Sequence, residues 1–190
     1  MEVNWVKIYK NSKSSKLDLQ VKHLIKKVPR CDFALEHGCS IGKISEILAK
    51  HTGMIFGIDK SFFALVEAKK RKIANSDFFL ADSLSLPFGN KKFDLVVALN
   101  VLELIDPLDL LKTIDDQVSR FVILSDPYDY ERGKNSVKNR LNEKSMRKKL
   151  TQMDLKLILG TSKPNFIPWS LHVNARLELN YNVDLIFAKR

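Results

Sequence analysis

Short apolar runs alternating with helix-spaced segments predict an α/β domain built on a doubly wound, mostly parallel sheet. Three observations carry that expectation. Apolar runs recur at CDFALEH (31–37), MIFGID (54–59), DFFLAD (77–82), FDLVVALN (93–100) and RFVILSDP (120–127). Segments with apolar residues at helical spacing separate several of them. Two closing runs, LKLILGT (155–161) and VDLIFAK (183–189), have no convincing helix between them, so they are most simply antiparallel. Five parallel strands followed by an antiparallel closing pair are therefore expected.

Each element has its own justification. LDLQVKHLIKKV (17–28) reads as an amphipathic helix, with Trp5 and Tyr9 ahead of it. GKISEILAKH (42–51) has apolar residues at 44, 47 and 48. FFALVEAKKRKI (62–73) follows Ser61, a residue suited to cap it. FDLVVAL is apolar almost throughout, as a strand buried on both faces should be. PLDLLKTIDDQV (107–118) carries proline in its first turn. KSMRKKLTQM (144–153) is a further helix. The 162–182 stretch, with Pro164 and Pro168, reads as an irregular insertion.

Composition narrows the function classes. The 190 residues fit a single domain, with 45% hydrophobic residues to build its core. Two cysteines, Cys31 and Cys39, make neither a disulfide framework nor a thiolate zinc site, and the four histidines show no ligand spacing; no metal is expected. No apolar run approaches the ~20 residues of a membrane span, and the N-terminus lacks a signal-peptide stretch. A cytoplasmic protein without membrane contact is the expectation. The net charge is +10, yet residues 1–30 hold eight Lys/Arg against two acids and residues 132–149 hold eight against one. The remaining 142 residues are thus net −3.

The chemistry-bearing signals sit at expected strand ends, where open α/β sheets bind ligands. Glu36-His37-Gly38-Cys39-Ser40-Ile41-Gly42 forms a glycine turn after the first strand. Gly38 allows a tight turn with backbone close to a ligand, and Gly42 allows close helix packing. Ser40 stands where a dinucleotide fingerprint has its second glycine. Asp59 ends the second strand 21 residues after Gly38, the spacing of an acid that accepts from ribose hydroxyls. Asp82-Ser83 ends the third.

With LEHGCSIGKIS (35–45), IFGIDKS (55–61) and ADSLSLPFGNKKFDLVVALNVLELI (81–105) in place, the sequence resembles the class I S-adenosylmethionine-dependent methyltransferases, in the type 11-like, small-molecule branch. The resemblance is close over about residues 31–127. It implies a Rossmann-like doubly wound sheet of seven strands, the last antiparallel. It implies S-adenosylmethionine as cofactor and S-adenosylhomocysteine as product. Glu36 would lie near the methionine amino group. Gly38, Cys39, Ser40 and Gly42 would line methionine and ribose, Asp59 would hold both ribose hydroxyls, Lys60 would belong to the cofactor site, and Asp82 and Ser83 would flank the adenine. Asn100 would sit beside methionine and the entering acceptor. Asn100, Glu103, Tyr128, Trp169, His172 and Arg176 are the acceptor-side candidates, and no single catalytic residue is named. The leader 1–30 and insertions 128–150 and 162–182 are expected near the acceptor side.

Competing motifs are weaker. Gly38-Cys39-Ser40-Ile41-Gly42 also spells the G-x-S-x-G elbow of hydrolases, with Asp126 and His172 downstream. Only about 35 residues, net basic, precede it, too few for the earlier strands that fold requires. Asp126-Pro127-Tyr128 is similar to the motif of amino-group methylating enzymes but follows the fifth strand rather than the fourth. A nicotinamide dehydrogenase would share the glycine turn and Asp59 but not the closing antiparallel strand. A small-molecule acceptor is the leading expectation. The basic segments keep an anionic acceptor or RNA open, and a non-catalytic partner subunit of the same fold is the remaining alternative.

Overall fold

The computed structural model describes residues 4–12, 15–131 and 137–190. Five strands, β1 (Cys31–His37), β2 (Thr52–Asp59), β3 (Ser76–Leu80), β4 (Phe93–Leu99) and β5 (Val118–Asp126), are mutually parallel. Three follow: β6 (Lys156–Leu157), β7 (Ile167–Asn174) and β8 (Leu177–Lys189). The sheet order is β3-β2-β1-β4-β5-β8-β6, with β7 paired to β8 outside that path. Strand β8 runs antiparallel to β5, as expected for the closing strand. The order reverses direction between β1 and β4, which opens a crevice at their carboxyl ends.

The helices are α1 (Trp5–Asn11), α2 (Lys16–Ile25), α3 (Lys43–Leu48), α4 (Phe62–Lys70), α5 (Pro107–Gln117) and α6 (Glu143–Gln152). Their starts follow local capping chemistry. Ser15 and Asp18 form a reciprocal capping box on α2, and Ser61 accepts from the Ala64 N–H on α4. Asp106 caps α5, whose first residue is Pro107. One face of the sheet packs Leu110, Leu111 and Ile114 of α5 with Met146 and Leu150 of α6. The other packs Ile8 of α1, Leu17, Val21 and Leu24 of α2, and Trp169 and Leu171 of β7. Residues Leu95, Val96, Val97 and Ala98 of β4 are fully buried between these layers, as its unbroken apolar run requires.

Three expectations are corrected. The 162–182 stretch is not irregular: it supplies β7 and the first half of β8, so eight strands form rather than seven. Pro168 is accommodated because β7 bonds only one neighbour, and buried Trp169 and Leu171 alternate with more exposed Ser170 and His172. The 155–161 run contributes only the two residues of β6 to the sheet. A seven-residue helix, α1, precedes α2; it is short and its buried face is the single residue Ile8, so its periodicity is weak.

Strand β8 is exposed over its first half and buried over its second. Its buried part is fixed by Asp184, fully excluded from solvent, whose carboxylate accepts from Arg147 of α6 at 2.5 and 2.9 Å. The Tyr128 hydroxyl donates to the same carboxylate at 2.9 Å. This bidentate pair binds α6 to the closing strand. Arg147→Met would leave a buried carboxylate without its cation and is expected to cost about 3–5 kcal/mol. Urea unfolding of the variant checks this; a loss under about 1 kcal/mol would show that the pair is dispensable.

Candidate cofactor and acceptor cleft

A cleft of about 580 Å³ opens where β1, β2, β3 and β4 end. Its floor is the loop from Gly38 to Gly42, in which Gly38, Ser40 and Gly42 all have left-handed backbone, at φ +65°, +49° and +73°. A Cβ at Gly38 would fall 2.4 Å from Cγ2 of Val101, so backbone alone fits there. A Cβ at Gly42 would meet Ala68 of α4 and Phe78 of β3 at 3.2 and 3.3 Å, which lets this turn pack closely on the second helix layer. Ser40 holds a conformation that costs a non-glycine residue about 1–3 kcal/mol. Its N–H is compensated by the Asp59 carboxylate at 2.8 Å.

Asp59 thus joins two strand ends. It accepts from Ser40 on one oxygen and from the Ser61 N–H, also at 2.8 Å, on the other. Burial raises its pKa, and these backbone donors oppose the rise. Nearer the mouth, Lys60 approaches Asp82 at 2.8 Å, and this partner holds the Asp82 carboxyl below its usual range. Asp82 also caps the short turn Ser83–Ser85 by accepting from Leu84 N–H.

Deeper lies Glu36, 4% exposed, accepting from the Ser45 hydroxyl at 2.5 Å. Burial pushes its pKa up to about 8, against that hydrogen bond and with help from the Asp59 charge. Its neighbour His37 faces away from the cleft lining, and its Nε2 lies 2.9 Å from Gln117 Oε1. Burial lowers the His37 pKa to about 4. Cys39 lines the cleft, but burial raises its thiol pKa, so it acts as apolar filling rather than as a nucleophile.

The structure gathers nine of the ten residues expected at the cofactor on this lining: Glu36, Gly38, Cys39, Ser40, Asp59, Lys60, Asp82, Ser83 and Asn100. Gly42 lies behind the loop instead. Asn100 also has left-handed backbone (φ +55°), and its Oδ1 accepts from the Ser125 hydroxyl at 2.8 Å. Of the acceptor-side candidates, Asn100 and Trp169 line the cleft. Glu103, Tyr128, His172 and Arg176 do not. Glu103 is fully buried in the turn Leu102–Leu104, while Val101, Leu104 and Ile105 around it reach the cleft. Tyr128 is drawn into the Asp184 network. His172 and Arg176 are exposed on the β7–β8 hairpin. The described residues of 128–150 are absent from the lining; residues 132–136 lie outside the described residues.

The leader contributes more than its sequence suggests. Trp5, Val6 and Tyr9 of α1, with Leu17 and Asp18 of α2, line the cleft. Helix α1 is tied down on three sides: Lys43 Nζ donates to Ser12 O at 2.5 Å, the Ser12 hydroxyl accepts from His172 N–H at 3.2 Å, and Lys10 pairs with Glu67 of α4 at 2.8 Å. Ile41, within the glycine loop, and Lys43 and Ile44, directly after it, also line the cleft, and their closeness to Gly42 is the signal that points to them.

A family profile described as a methyltransferase domain matches residues 34–120. The match takes in less than half of the chain. Solved structures agree on the fold. A magnesium protoporphyrin IX methyltransferase from Synechocystis PCC 6803 with bound SAH superposes with TM-score 0.69 at 17% identity, covering 98% of this chain and 92% of that one. An N-methyltransferase, NodS, from Bradyrhizobium japonicum WM9 gives 0.62 at 15%, covering 92% and 86%. An S-adenosylmethionine-dependent methyltransferase of putative assignment from Listeria monocytogenes gives 0.64 at 16%, covering 92% and 98%. No curated protein matches the sequence. The family resemblance and the Rossmann-like sheet with its antiparallel closing strand agree with these findings. The methyltransferase match spans the part of the chain that builds the polar half of the cleft.

Glu36 sets a pH dependence for this domain. Its folded pKa, about 8, exceeds its ordinary 4.5, so the folded state holds the extra proton between those values and stability falls as pH rises through them. His37 acts oppositely between about 4 and 6.5, since it stays neutral when folded. Above pH 6.5 only the Glu36 effect remains of the two. Melting temperature measured from pH 6.5 to 8 is expected to fall more in the wild type than in Glu36→Gln, and equal slopes would refute the assignment.

Proposed function

We propose that the protein transfers a methyl group from S-adenosylmethionine to a small-molecule acceptor. Asp59 carries this reading: a carboxylate at the end of β2, preset by Ser40 and Ser61 N–H groups, keeps lone pairs directed at the cleft. The side-chain-free approach at Gly38 fits the same ligand, because a Cβ there has no room beside Val101. The printed names of similar structures, acting on a protoporphyrin or as an N-methyltransferase, support a small acceptor.

In this reading Asp59 accepts from both ribose hydroxyls. Asp82 and Ser83 flank the adenine. Glu36 faces the methionine ammonium, whose charge favours the ionised carboxylate and so expels the proton that Glu36 holds at neutral pH. Asn100 borders the reacting end. The bound sulfonium supplies an already activated methyl carbon, so these residues have to position, desolvate and exclude water rather than supply covalent chemistry. The acceptor brings a lone pair, and a base is needed only where it arrives protonated.

Among the described residues, none of the basic segment 132–149 lines the cleft. Lys43 and Lys60, the two lysines on the lining, are both engaged with other groups of the protein.

Calorimetry with S-adenosylhomocysteine tests the reading. Saturable binding is expected, weakened by about tenfold or more in Asp59→Ala, since hydrogen bonds to a charged group contribute about 1.5–3 kcal/mol. No binding at millimolar ligand to wild type would overturn it. Run near pH 7 in buffers of different ionisation enthalpy, the same titration should show proton release on binding that Glu36→Gln abolishes.

A further inference from the structure

We propose that the methyl acceptor is a flat, largely apolar molecule, bound among the aromatic rings of Trp5, Tyr9 and Trp169. This rests on the methyl-transfer reading above and specifies its acceptor.

The sheet order divides the cleft. Asp59 and Asp82 lie at the ends of β2 and β3, on one side of β1. Beyond β4, on the other side, the lining comes from Leu104 and Ile105 after β4 and from Trp169 and Leu171 of β7, which is carried past β5 on β8. Helix α1 packs against β7 and adds Trp5 and Tyr9 to the same lining. One half of the cleft is therefore rich in carboxylates and backbone donors, and the other in ring faces and branched aliphatic groups.

The polar groups on the aromatic side are engaged within the protein. The Ser170 hydroxyl donates to Asn180 Oδ1, Lys43 donates to Ser12 O, and Asp18 accepts from Ser15 N–H in its capping box. What this side offers an acceptor is surface: Trp5 and Tyr9 are half-buried and tilted toward each other at 6.3 Å between centroids. Trp169 lines the same side with only 7% of its surface exposed and is held in place by Tyr181 at 5.3 Å. Fixed aromatic faces on two separate elements favour a planar apolar ligand through burial and offset stacking.

The origin of these rings points the same way. Trp5 and Tyr9 precede the methyltransferase match and Trp169 follows it. The matched part makes the donor half and adds Leu104 and Ile105 to the acceptor half, whose aromatic rings all come from outside the match. Choice of acceptor accordingly belongs to α1 and the β7–β8 hairpin.

The test uses 2-naphthoate as a planar probe and octanoate as a flexible apolar one, titrated by calorimetry into the full chain with and without S-adenosylhomocysteine. The two tryptophans of the chain, Trp5 and Trp169, both line the cleft, so tryptophan fluorescence gives a second, direct readout. Naphthoate is expected to bind about tenfold more tightly than octanoate and to perturb the fluorescence. Trp5→Ala should weaken naphthoate at least about fivefold while leaving S-adenosylhomocysteine affinity within about twofold. Trp169→Phe, which keeps a ring on β7, should retain most of the naphthoate affinity and guards against loss by misfolding. Equal binding of the two probes, no naphthoate binding, or parallel loss of naphthoate and S-adenosylhomocysteine in Trp5→Ala would overturn the proposal. Failure of S-adenosylhomocysteine alone, with naphthoate still bound, would overturn the methyl-donor reading and leave the aromatic site standing.

Discussion

The Asp59 carboxylate bonded to the Ser40 N–H is the contact on which the cleft depends. It joins the end of β2 to a loop whose backbone is left-handed at residues 38, 40 and 42. For Ser40 that conformation is costly, and a charge-assisted hydrogen bond is the means by which the fold holds it. The same carboxylate accepts from Ser61 and so sets the start of α4. One side chain thereby fixes the floor of the cleft and the entry of a helix while itself lining the cleft. Glu36 sits deeper still, where its own burial, with a smaller push from the Asp59 charge, raises its pKa to about 8.

Around this tie the molecule is arranged as two layers that fail to meet over the strand ends. The α5–α6 layer and the α1–α2–β7 layer each pack on one face of the sheet. The crevice between β1 and β4 stays open because the chain leaves the sheet in opposite directions there. Helix α1 then bridges it, seated by Ile8 and held by Lys10, Ser12 and Lys43. On the far side, the Arg147–Asp184 pair anchors the buried half of β8, so the exposed half can carry β7 out to the rim. Burial inside and reach outside are functions of one thirteen-residue strand.

Much of this was legible from residues alone. The five parallel strands, the closing antiparallel strand and the acids at the strand ends follow from apolar runs and from spacing that serves the backbone directly. The hairpin at 162–182 was not legible, because Pro164 and Pro168 signal a break unless the strand is known to lie at an edge. Helix α1 was hidden by its length and by a buried face of one residue. Tyr128, His172 and Arg176 illustrate another limit. Sequence placed them near the end of β5 or in the insertion, but side-chain direction depends on partners far along the chain: Tyr128 turns into Asp184, 56 residues away. The leader's aromatic residues stand out in the sequence, whereas their place on one lining with Trp169 depends on α1 packing against β7.

The division of the cleft into a polar donor half at Asp59 and an apolar acceptor half at Trp5, Tyr9 and Trp169 is the central claim. A crystal structure with S-adenosylhomocysteine bound tests it most directly. The ribose hydroxyls should lie within hydrogen-bond distance of Asp59, with the adenine at Asp82–Ser83 and the three aromatic rings left uncovered by the ligand. A ligand lying among Trp5, Tyr9 and Trp169, or held without Asp59, would contradict the account.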